Sequence, residues 1–494
     1  IFDVYRTIYE RMQYCVQLEG ERDEEFISDM GILIGDPASP IMWLLYFADI
    51  QVPDTLSDVL LGEVRISHLE QADDIVLFAT SRAALQAKLD AFYKWCCDAF
   101  LRINNKKSWW TALGCALRDP QSVSFSIGGQ VVDPKTTETY VGMKITSEKR
   151  DMFAEHGRSK AGNAHALAST IFAIIDRLCL QCPPTTACRL YAAIIDPHLT
   201  HGCDVSPDST KRATLQLERA QNLYLRKLLR AGKRCSTAAL FTETGIWPIR
   251  YRRADLLVRY LGYLLQRPAG DYARLALADS MELFRSGKQS WYGDVHKALL
   301  QLPFAIDLGP DPIEDSGDID AVRDLIKESM RDFLRTRGAA NPKMQLVQRR
   351  PAHNCVSTGV YGTAPVMEFR AYLKIPIPEH RTALTRLLLS THELAIERLR
   401  WQGVARGERL CRLCHASVEH PVHALFQCTG RACLAELRGD FVAEIGRVDE
   451  PLSRFLEGRT DLARIRILAS HEATLPRFAK FVYKVLKLYS SVPM

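Results

Sequence analysis

Two adjacent carboxylates, Asp73 and Asp74, directly precede the four-residue apolar run Ile75-Val76-Leu77-Phe78. This run is β-branched and aromatic, which is typical of a buried strand. Neighbouring carboxylates repel each other, so a pair fixed in a tight turn is costly unless a cation compensates the charge. The pattern predicts a turn that leads into a strand and presents hard oxygen ligands to Mg²⁺. Taken alone, an Asp pair before an apolar run does not establish catalysis.

The length and composition set broad limits on the protein. The 494 residues suffice for about three domains of roughly 150 residues each, and hydrophobic residues make up 47% of the chain, enough for a substantial core. No run approaches ~18 consecutive apolar residues and no secretory signal is visible, so we expect no membrane partner and an intracellular location, nuclear or cytoplasmic. The net charge of +6 permits a nucleic-acid partner without demanding one.

Periodicity gives a coarse secondary structure. Apolar residues alternate around Gly128-Gly129, which predicts a β-hairpin over 123–132. Helical patterning extends over 83–100, much of 155–265, 320–337, 380–402 and 460–490. Breakers and acidic residues over 267–320 indicate that part of this stretch is a linker or a long surface loop.

A Gly/Pro-rich loop, Gly31 to Pro40, ends 33 residues before Asp73. Gly31 and Gly35 allow the backbone to approach a ligand closely. Pro40 suits the first turn of the helix that follows, and Ser39 is a candidate cap for it. Such a loop at a helix N-terminus favours contact with phosphate, template or sugar, although an ordinary loop-to-helix turn has the same composition.

The order of these elements resembles the palm of reverse transcriptases from non-LTR (LINE-type) retrotransposons. The family's G-x-x-x-G-D-P-x-S-P loop matches Gly31 to Pro40, and its aromatic-Ala-Asp-Asp box matches Gln71 to Asp74. Its Leu-x-Ile-Asn-x-x-Lys-Thr element matches Leu101 to Ser108, and its Tyr-Leu-Gly segment matches Tyr140 to Gly142. Residues 243–253 look like a segment that these elements have downstream of the thumb. The resemblance spans roughly 1–265 and returns near 411–428.

The resemblance implies RNA-directed DNA polymerase activity on an RNA template and a DNA primer. In the family, two divalent ions align the primer 3′-oxygen with the α-phosphate. By resemblance, Asp73 and Asp74 bind Mg²⁺ and Lys107 assists at the phosphates, although Lys107 also fits a solvated residue at a helix end. The residues implied to position template and nucleotide are Gly31, Gly35, Asp36, Pro37, Ser39 and Pro40.

The sequence departs from the family at its first carboxylate motif, which ends in Ala/Ser-Phe-Asp and supplies a further metal ligand. Asp3 precedes Tyr9 too closely to be that ligand, and the chain starts at Ile1 rather than Met. Gln71 and Ile34 replace an aromatic and a polar residue of the family pattern. We therefore expect an incomplete two-metal site, and a chain that as given is inactive or nearly so.

A second candidate site lies near the C-terminus. Cys411, Cys414, His423 and Cys428 form a C-x2-C-x8-H-x4-C pattern, which is spacing typical of tetrahedral Zn²⁺. His415 and His420 are alternative ligands, and reduced, unliganded cysteines are the alternative interpretation. A similar pattern formed by Cys179, Cys182, His198 and His201 has a short His spacing and an apolar helical setting, so we expect it to pack in the core.

Basic residues recur on a predicted helical segment near the middle of the chain and could follow a phosphate backbone. The alternative is that they form the solvated face of a helix. The candidate nucleic-acid-binding residues are Arg226, Lys227, Arg230, Lys233 and Arg234.

Together these patterns predict an α+β protein: a partial reverse-transcriptase palm, with an antiparallel sheet and packed helices, then a mostly helical thumb and connection and a small zinc knuckle. The predicted segments are a partial palm (1–120), palm end, hairpin and helical thumb (121–265), linker and helical connection (266–400), and CCHC knuckle with helical tail (401–494). The alternatives are a non-catalytic nucleic-acid-binding retrotransposon remnant and a plain structural protein, which would bind neither metal nor nucleic acid.

Overall fold

The computed structural model describes residues 2–27, 33, 35–114, 123–149, 151–177, 182–352 and 362–493. The architecture is mixed α+β, as predicted, with many helices and small, mostly antiparallel sheets. The chain divides into two units, Ile1–Thr136 and Thr137–Met494. The second unit takes in the 266–400 and 401–494 segments predicted from the sequence, together with most of the 121–265 segment.

The first unit contains short strands and three helices in its described part. The helices are α1 (Phe2–Glu10), α2 (Ser39–Phe47) and α3 (Arg82–Asp98). The strands are β1 (Gln13–Tyr14), β2 (Gln17–Leu18), β3 (Glu21–Arg22), β4 (Phe26–Ile27), β5 (Val59–Leu61), β6 (Val64–Ile66), β7 (His68–Gln71), β8 (Asp74–Leu77), β9 (Trp109–Trp110), β10 (Phe125–Ile127) and β11 (Gln130–Pro134). Antiparallel pairs form between β1 and β4, β2 and β3, β5 and β6, and β7 and β8, and β11 joins β10 antiparallel and β9 parallel.

The β7–β8 hairpin contains the Asp pair. Gln71 pairs with Asp74, so the connecting turn consists of Ala72 and Asp73 alone. Ala72 takes the left-handed conformation, φ +55°, that a tight hairpin turn requires. The predicted turn and strand are therefore confirmed, but the strand is half-buried rather than buried. The hairpin predicted over 123–132 is also confirmed, with Gly128 and Gly129 at its turn.

Helix α3 fixes the base of the β7–β8 hairpin. Its Lys88 ammonium is fully buried and lies 2.6 Å from the Asp58 carboxylate. The same Nζ donates to the carbonyls of Phe78 at 2.8 Å and Ser67 at 3.2 Å, which lie at the open end of the hairpin. Burial by itself raises the pKa of Asp58, but hydrogen bonds from Lys88 and Thr55 lower it to about 2. A buried charge needs such partners, and here they attach the helix to the hairpin.

The second unit begins with the antiparallel pair β12 (Thr137–Tyr140) and β13 (Met143–Thr146) and is otherwise helical in its described part. The helices up to residue 339 are α4 (Ala154–Arg177), α5 (Pro184–Leu190), α6 (Asp196–Thr200), α7 (Lys211–Leu228), α8 (Thr237–Thr244), α9 (Ile249–Leu265), α10 (Tyr272–Arg285), α11 (Trp291–Leu300) and α12 (Asp318–Ala339). The later helices are α13 (Pro378–Leu388), α14 (Ala395–Arg398), α15 (Ala432–Val448), α16 (Glu450–Glu457), α17 (Asp461–Leu468) and α18 (Leu475–Ser490).

One large apolar cluster extends through the second unit, from Ala161 in α4 to Tyr489 in α18. A fully buried carboxylate, Glu243, lies in this core and accepts hydrogen bonds from Arg350 at 2.5 Å and Tyr372 at 2.9 Å. The 267–320 stretch contains α10 and α11, and irregular chain follows from 301 to 317, so only part of it is a loop, as predicted. In the described residues, every helix is too short or too polar to cross a lipid bilayer.

Candidate functional site

Four side chains near the C-terminus converge on one point. The ligand atoms of Cys411, Cys414, His423 and Cys428 all lie within 4.8 Å of one another. The Cys411 and Cys428 sulfurs are 3.6 Å apart, and the Cys414 sulfur lies 3.4 Å from Nε2 of His423. These four residues are close enough to bind a metal ion such as zinc. The group includes neither of the alternative ligands, His415 and His420.

Two local structures bring these ligands together. In the first, the chain turns back after Cys411, whose N–H donates to the Ser417 carbonyl at 2.7 Å. In the second, His423–Gln427 form a π-helical turn, and the N–H of Cys428 donates to the carbonyl of His423 at 2.8 Å. This i to i+5 bond brings His423 and Cys428 to the same side of the turn. Two residues separated by four others can therefore bind the same metal ion.

The donor set fits a structural zinc ion. Zn–S bonds of about 2.3 Å in a tetrahedron separate two sulfurs by about 3.8 Å, close to the distance between Cys411 and Cys428. Cys411 and Cys428 are completely buried and His423 is 5% exposed. Four protein ligands leave no open coordination position for a substrate, which is the arrangement of structural rather than catalytic zinc sites.

The surroundings of the sulfurs differ. Burial raises the pKa of the Cys411 thiol to about 11. Burial acts in the same direction on Cys414, but the N–H groups of Ala416 and Ser417 point at its sulfur and bring its pKa below the ordinary value. Burial also lowers the pKa of His423, which favours the neutral imidazole that binds metals.

Glu419 and Arg412 support the ligand turn from behind. The buried Glu419 carboxylate accepts hydrogen bonds from the N–H groups of Arg412 and Ala395, each at 2.8 Å, and from Nη2 of Arg412 at 2.7 Å. Nη1 of Arg412 donates to the carbonyls of Tyr489 at 3.1 Å and Val492 at 3.2 Å, at the end of α18. Arg412, which directly follows Cys411, therefore connects the ligand turn to the C-terminal helix. The carbonyls at the end of that helix favour a cation.

Sequence reasoning missed these supporting residues. Tyr489, whose hydroxyl lies 3.5 Å from the Cys411 sulfur, is 78 residues from Cys411 along the chain and gives no local signal. Gly430 does give a local signal in the sequence, because it lies two residues after the ligand Cys428. A Cβ at Gly430 would lie 2.4 Å from the Leu413 carbonyl oxygen and 2.8 Å from the Cys414 nitrogen, so only glycine fits without moving the ligand turn.

The structure also brings α2, the helix that follows the Gly-rich loop, to the turn of the Asp pair. Nε1 of Trp43, in α2, donates to the Ala72 carbonyl at 2.7 Å, so the helix that follows the loop contacts the hairpin turn. Gly35 has φ +94°, and Pro40 lies in the first turn of α2, as predicted. Gly31 lies outside the described residues.

Within the loop, Asp36 accepts a hydrogen bond from the Ala38 N–H at 3.0 Å, and Pro37 follows it in the turn. The prediction that Ser39 caps α2 is wrong. Ser39 is itself the first helical residue, and its hydroxyl donates to the Leu33 carbonyl at 2.7 Å. The chain folds back so tightly at this point that the Ser39 hydroxyl donates to a carbonyl of the preceding loop and does not accept from an N–H group of the helix.

The structure does not support the Mg²⁺ prediction. Asp73 and Asp74 are both exposed, and within the described ranges they belong to no group of three potential ligands. Lys107 is exposed in the turn after Asn104 and, in the part of the chain that the structure describes, forms no ion pair with either carboxylate. A tight turn displays both carboxylates to solvent, but a site for two ions needs further ligands.

The prediction that the basic residues share one helical segment is wrong beyond Leu228, where α7 ends. Arg226 and Lys227 lie in its last turn, and Arg230, Lys233 and Arg234 follow in a loop. The prediction that the second Cys/His pattern packs in the core is wrong for His201, which is exposed, whereas Cys182 is half-buried against the core and His198 is half-buried. In the described residues these three side chains join no group of three potential ligands. Cys179 is outside the described residues.

No protein-family model matches this chain, and comparison with curated proteins gives no significant match.

Proposed function

We propose that this chain is part of a LINE-type reverse transcriptase that binds RNA template and DNA primer, and that the chain as given does not extend the primer. One observation supports this most strongly: Trp43, in the helix that follows the Gly-rich loop, contacts Ala72 in the turn of the Asp pair, so elements that are distant in sequence and carry the two motifs are neighbours. A polymerase palm needs both motifs at one site, and this contact is what such a site requires.

The exposed Asp pair provides a direct test, because carboxylates beside a primer repel its phosphates. With EDTA present, Asp73→Asn/Asp74→Asn should tighten primer–template binding by about 2- to 10-fold at low salt. Mg²⁺ should reduce that difference. Glu24→Gln/Glu25→Gln, which neutralises another exposed pair in the same unit, is the matched control and should change little. Binding is measured by fluorescence anisotropy, and equal effects of the two double variants would contradict the proposal.

The alternative is a nucleic-acid-binding remnant that does not use the hairpin. It is favoured by the exposed Asp pair, which joins no third potential ligand in the described residues. It predicts salt-dependent binding that is insensitive to the charge at positions 73 and 74. A primer-extension assay with Mg²⁺ completes the comparison: both interpretations predict no synthesis, and robust synthesis would overturn the expected inactivity.

We infer further that the metal at the Cys411 site is Zn²⁺ and that it stabilises the fold. Three thiolates and an imidazole are ligands that zinc prefers, and bound zinc would fix the ligand turn to the buried π-helical turn. The expected content is one zinc per chain, and Co²⁺ substitution should give a thiolate charge-transfer spectrum. Protein prepared without chelators that contains no metal would refute this inference.

A further inference from the structure

An exposed tryptophan in the second unit is surrounded by cations. Trp401 lies in a short 3₁₀ turn, Leu399–Gln402, and is 48% exposed. The Arg234 guanidinium lies 3.6 Å from the centre of its ring, the Lys343 ammonium 4.9 Å and the Arg400 guanidinium 5.7 Å. We refer to these four residues as the Trp401 cluster.

The cluster has an excess of positive charge. Glu397 is its nearby carboxylate, at 2.9 Å from Lys343 and 3.8 Å from Arg400. Arg234 is exposed and, among the described residues, makes no ion pair. Glu397 therefore pairs with two of the three cations, and the charge of Arg234 is available for an anionic ligand.

Hydrogen bonds hold the surrounding segments in place. Lys343 Nζ donates to the Arg234 carbonyl at 3.4 Å, and Ser390 donates to the Lys343 carbonyl at 2.8 Å. Arg386, exposed on α13, donates from Nε to the Arg230 carbonyl at 3.4 Å. The exposed cations of α13 and of the loop after α7 thus belong to segments that these hydrogen bonds join to the cluster.

We propose that the Trp401 cluster is a stacking site for a base of single-stranded nucleic acid. The phosphates on either side of that base would contact Arg230, Lys233 and Arg386. This inference rests on the proposed nucleic-acid binding and names the surface that performs it. A flat indole with adjoining guanidinium groups offers every base a stacking surface, while the cations attract the backbone, which is how sequence-independent single-strand sites are built.

The same unit contains a matched contrast. Tyr263 is 51% exposed and lies 5.5 Å from the Arg267 guanidinium, but Asp271 neutralises that arginine through a bond of 2.5 Å. An exposed aromatic ring with a neutralised cation is a stabilising surface contact. The unneutralised Arg234 distinguishes the Trp401 cluster from it, so Tyr263 is the control position.

The test measures binding of a labelled oligouridylate of about 12 nucleotides to the full chain at several salt concentrations. Trp401→Ala should weaken binding by about 5- to 150-fold, and Trp401→Phe by less than about threefold, because a phenyl ring still stacks. Tyr263→Ala should leave affinity unchanged. An oligonucleotide with abasic positions should bind the unaltered chain more weakly, and Trp401→Ala should abolish that preference.

The outcomes separate this inference from the proposed function. If the unaltered chain binds with strong salt dependence but ignores abasic positions, stacking is refuted and nucleic-acid binding stands. If Trp401→Phe and Trp401→Ala weaken binding equally, stacking is also refuted. If the unaltered chain binds no nucleic acid at low salt, the proposed function fails as well. The abasic comparison needs no variant, so it holds even if Trp401→Ala fails to fold.

Discussion

Replacing Glu419 with Gln tests whether the residues behind the ligand turn determine the stability of the metal centre. The Glu419 side chain is fully buried and that of Arg412 is 6% exposed. Gln keeps the shape but removes the charge, and its amide group must face one of the donors at Arg412 or Ala395. Breaking one side of a buried ion pair costs about 3–5 kcal/mol, so we expect this loss in the free energy of unfolding of the second unit.

The same substitution should lower metal affinity. Because Arg412 directly follows Cys411, a disturbed Arg412 moves a ligand, and outer partners of metal ligands typically contribute about 10- to 100-fold in affinity. Stability is measured by chemical denaturation followed by far-UV circular dichroism, and affinity by competition with a chromophoric zinc chelator. Adding Arg412→Met to Glu419→Gln should restore part of the stability, since no unpaired charge then stays buried.

Glu450→Gln is the control for this experiment. Glu450 also pairs with an arginine, Arg454, but both side chains are more than half exposed, so the expected loss is below about 1 kcal/mol. Wild-type stability and zinc affinity in Glu419→Gln would refute the reasoning.

Two further predictions concern single positions. Gly430→Ala should lower zinc affinity at least about tenfold, because its Cβ would collide with the backbone of Leu413. Gly439→Ala is the control, because Gly439 lies in a helix with open space around it. This control should leave zinc affinity unchanged and add a few tenths to about 1 kcal/mol of stability. Asp58 has its pKa lowered to about 2, so its contribution to stability is complete above about pH 4 and is lost as the pH falls towards 2. Asp58→Asn should therefore destabilise the first unit at neutral pH and flatten its acid unfolding curve, and an unchanged curve would contradict the role given to the Lys88 pair.

Local sequence signals determined a good part of this protein. The Asp73 turn and its strand followed from the contrast between two carboxylates and an apolar run, and the 123–132 hairpin followed from two glycines between alternating residues. The four candidate metal ligands followed from their spacing, because short loops fix which side chains can share an ion. Each of these features depends on interactions within a few tens of residues.

The tertiary structure decided the rest. Periodicity shows that a helix has a buried face but not which partner covers it. The sequence therefore predicted the metal ligands as a separate small knuckle, whereas in the structure Cys411 and Cys428 belong to the large helical core. Arg412 reaches the end of α18, and Lys88 reaches Asp58 across a helix and a hairpin. The Trp401 cluster combines residues from three distant segments. Contacts of this kind depend on how elements pack in three dimensions, which spacing along one chain does not specify.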